Sequence, residues 1–98
     1  MFAYQYIMVD WLHNYGDEYP IRIYSEIDKN GFETRKVEIF PNNQIGYAFD
    51  SIEFGGTGLG MEPVLDLNEI AADPYETFIP KEISKEEFEK IWSMYIKD

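Results

Sequence analysis

Residues 21–39 read Ile21-Arg22-Ile23-Tyr24-Ser25-Glu26-Ile27-Asp28-Lys29-Asn30-Gly31-Phe32-Glu33-Thr34-Arg35-Lys36-Val37-Glu38-Ile39. Ile21, Ile23, Ser25 and Ile27 alternate with Arg22, Tyr24 and Glu26, the period of two that marks a half-buried strand. Asp28-Lys29-Asn30-Gly31 breaks the alternation, and Asn-Gly is a strong hairpin signal because both residues tolerate positive φ. The return strand is predicted over Phe32–Phe40, with Arg35, Val37 and Ile39 on one face and Thr34, Lys36 and Glu38 on the other.

The pattern extends in both directions. Pro41-Asn42-Asn43 predicts a second turn, after which Ile45, Tyr47 and Phe49 alternate with Gly46, Ala48 and Asp50. Upstream, Pro20 closes a polar loop from His13 to Tyr19 with Gly16-Asp17-Glu18 at its middle. Before that loop Ile7, Val9 and Trp11 share one face, while Tyr6, Met8 and Leu12 are apolar on the other, the mark of a central strand covered on both sides. Ser51 to Pro63 reads as a glycine-rich loop, and a short helical turn is expected at Leu67–Ala72, capped by Asp66 and stopped by Asp73-Pro74.

The last element declares its own start. Ser84 is a good N-cap, Glu87 completes a capping box, and Ile83 can staple onto Phe88. Phe88, Ile91, Trp92, Tyr95 and Ile96 then recur at the spacing of one apolar helical stripe. The expected fold class is α+β: a single domain, residues 1–98, with an antiparallel β-meander of about four strands packed by a C-terminal amphipathic helix.

Composition removes several alternatives. Aromatic residues make up 17% of the chain, which excludes a disordered chain, and a chain of 98 residues has room for one core. No cysteine is present, so thiolate metal sites, iron–sulfur clusters and cysteine nucleophiles are excluded. No apolar run approaches the ~18 residues of a membrane span, and Met1-Phe2-Ala3-Tyr4-Gln5 lacks the basic start of a signal peptide. A cytoplasmic protein with no membrane attachment is expected.

Catalytic and ligand-binding constellations find little support. Gly55-Gly56-Thr57-Gly58-Leu59-Gly60 matches no phosphate-loop pattern, has no lysine near it, and is flanked by Glu53 and Glu62, which repel phosphate. Its glycines mark backbone that needs positive φ or a close approach to something else, a partner among the options. His13 is the only histidine, and its spacing from Asp10, Asp17 and Glu18 fits no zinc or EF-hand pattern. Ser25, Ser51 and His13 form no recognisable triad order. The expectation is a non-enzyme with no cofactor, no metal and no catalytic residue.

The charge distribution points to a partner. Between Val37 and Pro80 there is no Lys or Arg, and the eight acids there, from Glu38 to Glu76, account for −8 of the formal −11. A field of one sign repels nucleic acid and attracts a basic protein. The bland alternative is that the acidity serves only solubility. Tyr15, Tyr19, Tyr24, Tyr47, Phe49, Phe54 and Tyr75 are too many for one small core, so several are expected at the surface. Aromatic faces among carboxylates suit Lys and Arg, whereas the competing reading makes them caps on core edges. The expected partner-binding residues are Tyr47, Asp50, Glu53, Phe54, Glu62, Asp66, Glu69, Asp73 and Glu76, with Tyr47 and Phe54 at the centre.

Trp11-Leu12-His13, Tyr24-Ser25-Glu26-Ile27-Asp28, Arg35-Lys36-Val37-Glu38-Ile39-Phe40, Gly46-Tyr47, the Gly55–Gly60 run, Glu69-Ile70-Ala71-Ala72-Asp73-Pro74 and Ile83-Ser84-Lys85-Glu86-Glu87-Phe88 through Trp92 together resemble a family of small acidic bacterial proteins known as a domain of unknown function. The resemblance covers nearly the whole chain. It implies the context of an immunity protein that neutralises the toxin domain of a competing or sibling cell. The acidic surface adds the expectation that this toxin is a nuclease, whose phosphate-gripping site such a surface imitates. The alternative from the charge alone is a binding or regulatory module for some other basic protein.

Overall fold

In a computed structural model the chain forms one six-stranded antiparallel sheet with a helix on one face and a short helix plus a long loop on the other. Residues 4–64 and 66–96 are described; the start at residues 1–3, on which the signal-peptide reading partly rests, lies outside them. In chain order the elements are β1 (Tyr4–Leu12), β2 (Arg22–Asp28), β3 (Glu33–Ile39), β4 (Ile45–Phe49), β5 (Ile52–Phe54), α1 (Leu67–Ala71), β6 (Thr77–Ile83) and α2 (Lys85–Tyr95). Across the sheet the order is β5-β4-β3-β2-β1-β6, so β1 to β5 are a meander and β6 returns to the far side of β1. Among the described residues no helix is long and apolar enough to cross a membrane.

The expected α+β arrangement is present, and the strand count is corrected from about four to six. Ile52–Phe54 lies inside the stretch read as loop, and Thr77–Ile83 was not anticipated at all. The return strand is also trimmed, from Phe32–Phe40 to Glu33–Ile39. Nor is β2 half-buried: Tyr24, Ser25, Glu26 and Ile27 are all buried, because both faces of the sheet are covered there.

Two turns share one construction. In the first, the Asp28 N–H donates to the Phe32 carbonyl and the Gly31 N–H to the Asp28 carbonyl; in the second, Phe40 and Asn43 make the equivalent bonds to Gln44 and Phe40. Gly31 at φ 91° and Asn43 at φ 68° take the left-handed position, so these are three-residue loops with one positive-φ residue rather than two-residue Asn-Gly turns.

The register sorts the side chains by face. Tyr6, Tyr24 and Val37 line the α2 side, where Phe88, Ile83 and Ile96 complete a buried cluster flanked by Tyr47, Phe49, Ile91 and Trp92. Ile7, Val9 and Ile27 face the other way, against Val64, Leu67, Ile70 and Phe78. Ser84 caps α2 by accepting from the Glu87 N–H at 3.0 Å, and Asp66 caps α1 by accepting from the Glu69 N–H at 3.0 Å, both as the sequence predicts.

The glycine run covers the β3–β4 end of that second face. Thr57, 1% exposed, donates its hydroxyl to Glu38 at 2.7 Å, the Gly60 N–H donates to Glu33, and Lys36 donates to the Gly58 carbonyl. Gly46 shows why this sequence needs glycine, since a Cβ there would fall 2.0 Å from the Thr57 hydroxyl. The close approach is therefore to the chain's own sheet.

Candidate functional site

β1 and β6 pair in a register that sets Trp11 opposite Phe78, their rings 5.5 Å apart. The loop after β1 then folds Tyr15 and Tyr19 back against the Trp11 ring, at 6.2 and 5.8 Å, each edge to face. His13 holds this loop. Its Nε2 donates to the Pro20 carbonyl at 2.8 Å, and its Nδ1 accepts from the Tyr15 N–H at 3.1 Å. Its ring also stacks on Tyr15 at 5.2 Å. Both ring nitrogens are thus engaged in shaping the loop.

The segment leading into β6 supplies the charge. Asp73 accepts the N–H groups of Tyr75 and Glu76 on one carboxylate oxygen, a local turn that fixes the backbone ahead of β6. Glu76 then accepts from the Trp11 indole N–H at 2.9 Å and from the Tyr15 hydroxyl at 2.9 and 3.1 Å. The hydrogen bond to Glu76 holds the Tyr15 phenol above its ordinary pKa. Trp11, Tyr15, Tyr19, Phe78, Asp73 and Glu76 together line an open cleft of about 540 Å³.

A second cleft of about 550 Å³ lies beside the first and includes Asp10, Leu12, Arg22 and Ile39. Its charge is already balanced, because Arg22 donates to Asp10 at 2.7 Å. The ion pairs among the described residues are Arg22–Asp10, Arg35–Glu26, Arg35–Glu89 and Lys36–Glu33, and none includes Asp73 or Glu76. The first cleft is the one that combines aromatic walls with uncompensated negative charge.

The expected partner-binding residues do not fall on one patch. Tyr47, Asp50, Glu53 and Phe54 sit at the β4–β5 end of the sheet. Asp73 and Glu76 sit beside β6 at the opposite edge, five strand spacings or about 24 Å away. Asp66 and Glu69 lie at the start of α1, and Glu62 is exposed in the loop before it. Tyr47 and Phe54 stack at 5.0 Å, but Tyr47 also packs on Phe49 and Trp92 and is half-buried, while Phe54 is 53% exposed. Tyr47 therefore belongs in part to the edge of the core.

Trp11, His13 and Phe78 were not singled out as site residues from sequence, and Tyr15 and Tyr19 figured only as surplus aromatics. The available signal was Trp11, Tyr15 and Tyr19 recurring every four residues in a segment with no helical character.

The fold and cleft define an α+β protein whose single antiparallel sheet is covered on both faces and whose β1–β6 edge bears an acidic, aromatic-walled cleft. The chain belongs to the family described as Domain of unknown function (DUF6881), whose profile matches residues 5–97. No curated protein and no solved structure matches it.

Proposed function

We propose that this chain is an immunity protein, binding and neutralising a basic toxin domain, specifically a nuclease, in the cytoplasm. The observation that carries this reading is a set of acids with no internal counter-charge. Asp50, Glu53, Glu62, Asp66, Glu69, Asp73 and Glu76 take part in none of the ion pairs among the described residues, and every one but Glu76 is exposed. A protein that leaves so many carboxylates unpaired bears a self-repulsion that a basic partner relieves, and the same field speeds the partner's arrival. A nuclease site built to grip phosphates is a surface of that sign. Binding of this kind blocks access and requires no chemistry, cofactor or metal from the chain itself.

The test is co-expression with the C-terminal domain of a large toxin-like protein encoded beside it. The expected result is a stable one-to-one complex, restored growth and loss of nuclease activity in that complex. A neighbouring nuclease that remains active and unbound in the presence of excess chain would overturn the reading.

A further inference from the structure

The α2 face of the sheet contains a site that already receives a guanidinium between aromatic rings, and its parts are instructive. Arg35 lies 4.9 Å from the ring centroids of both Phe88 and Trp92. It is forked by two carboxylates, Glu26 at 2.9 and 2.6 Å and Glu89 at 3.0 and 2.8 Å. Glu26 is in turn oriented by the Tyr6 hydroxyl at 2.9 Å. A tryptophan, a phenylalanine, two carboxylates and a tyrosine that steers one of them thus surround the cation.

The cleft at the β1–β6 edge repeats this set without a cation. Trp11 and Phe78 stand side by side, Glu76 and Asp73 supply the carboxylates, and the Tyr15 hydroxyl steers Glu76. Tyr19 adds a further wall. The known donors leave capacity on the carboxylates: among the described residues both bonds to Asp73 fall on Oδ1, and Glu76 Oε2 accepts only from Tyr15. The walls present aromatic surface and the carboxylates present acceptors, which is the pairing a planar, delocalised cation uses best.

We propose that this cleft is a binding site for an arginine side chain of the basic protein partner, its guanidinium stacked against the Trp11–Tyr15–Tyr19 walls and hydrogen-bonded to Glu76 and Asp73. The proposal rests on the reading that the partner is basic, and it names where one of its residues anchors. Arginine is favoured over lysine because a guanidinium can stack and donate to both carboxylates from one plane, whereas an ammonium is a compact, strongly hydrated point charge. Tyr75, 88% exposed between Asp73 and Glu76, is placed to contact the chain on either side of that arginine.

The test needs no toxin. The whole chain is titrated with the blocked tripeptide acetyl-Gly-Arg-Gly-amide and with its lysine and citrulline counterparts, following the two indole N–H resonances. The Trp11 resonance should shift and saturate with the arginine peptide at a dissociation constant of ~1 mM, the range of a single small contact. The Trp92 resonance, already next to Arg35, should stay still. The lysine peptide should bind ~10-fold more weakly and the citrulline peptide not measurably. Glu76→Gln combined with Asp73→Asn should weaken the arginine peptide ~10-fold or more, while Glu86→Gln, exposed on α2, leaves it unchanged. Equal shifts from all three peptides, or no Trp11 shift at ~20 mM arginine peptide, would overturn the site. If the toxin domain binds while the arginine peptide leaves Trp11 unmoved, the cleft is wrong and the immunity reading stands. Saturable arginine binding without any basic protein partner has the opposite meaning.

Discussion

Arg35 on β3 and Glu89 on α2 are joined by two hydrogen bonds, of 3.0 and 2.8 Å, so the sheet and its covering helix are clasped by a polar fork as well as by the apolar cluster around Phe88. The same guanidinium reaches Glu26, which is 9% exposed at its side chain and also accepts from Thr34 and Tyr6. Removing the arginine would strand that buried carboxylate. Arg35→Ala is expected to cost about 3–5 kcal/mol, the scale for breaking a buried pair from one side. Glu89 is 41% exposed at its side chain, and Glu89→Gln should cost no more than about 1 kcal/mol. Urea denaturation of both variants is the check, and similar losses would mean that Arg35 acts only through the helix contact.

The network also sets the pH limits of stability. Burial pushes the Glu26 carboxyl up, but the hydrogen bonds from Arg35, Thr34 and Tyr6 outweigh it and leave it below its ordinary value; Arg35 holds Glu89 low as well. Both contributions are present above the unfolded carboxylate value and are lost as pH falls through the lower folded values. Tyr6 has the opposite sense: burial and the bond to Glu26 push its phenol up to about 12. A group held protonated contributes below its unfolded pKa of 10.0 and loses that contribution as pH rises towards about 12. Tyr6→Phe should therefore be less stable than the parent at pH 7, with the difference shrinking above pH ~10 in parallel urea melts. A constant difference across that range would remove Tyr6 as the titrating group.

Gly46→Ala tests the glycine run. The added Cβ would meet the buried Thr57 hydroxyl and also lie 3.0 Å from the Phe54 carbonyl, so strand and loop cannot both keep their places. A loss of about 1–3 kcal/mol is expected, as for other overpacked sites. At Gly56, with φ 82° and open space around it, alanine meets no atom and should cost only the strain of the left-handed backbone, about 1 kcal/mol. Thermal melts that rank the two the other way would place the loop differently.

How much of this the sequence disclosed depends on the scale of the pattern. The meander from β1 to β4, the caps Asp66 and Ser84, and the apolar stripe of Phe88, Ile91, Trp92 and Ile96 are written in local periodicity, and the structure has them; Tyr95, expected in the same stripe, is instead exposed at the helix end. β6 escaped because Pro80 stands at its middle and a proline argues against a strand; at the edge of a sheet, opposite Val9, it is tolerated. β5 escaped because three residues carry no readable alternation. The site suffered most, since Asp50 and Glu76 belong to one acidic run in the chain yet stand at opposite edges of the sheet. Trp11 and Glu76, 65 residues apart, share a hydrogen bond that no spacing rule announces.

That separation yields a prediction about association. The two acidic ends are farther apart than the ~8 Å Debye length at physiological salt, so they act as separate fields. For the proposed basic partner, Asp73→Lys with Glu76→Lys should slow association and speed dissociation. Asp50→Lys with Glu53→Lys should mainly slow association, increasingly so at low salt. Glu86→Lys, exposed on α2, is the control for net charge. Binding kinetics at two ionic strengths decide the matter, and equal effects from all three would leave no preferred docking edge.

The return of β6 to β1 has a consequence for biosynthesis. Strands β1 to β5 can pair with neighbours made moments earlier, but Trp11 must wait for Phe78, and Tyr6 for Ile83 and Phe88. A ribosome will therefore have released most of the chain before β1 has its second neighbour or Tyr24 and Val37 have their cover. During that interval the emerging meander bears an open aromatic face, and a chaperone's protection is most needed there.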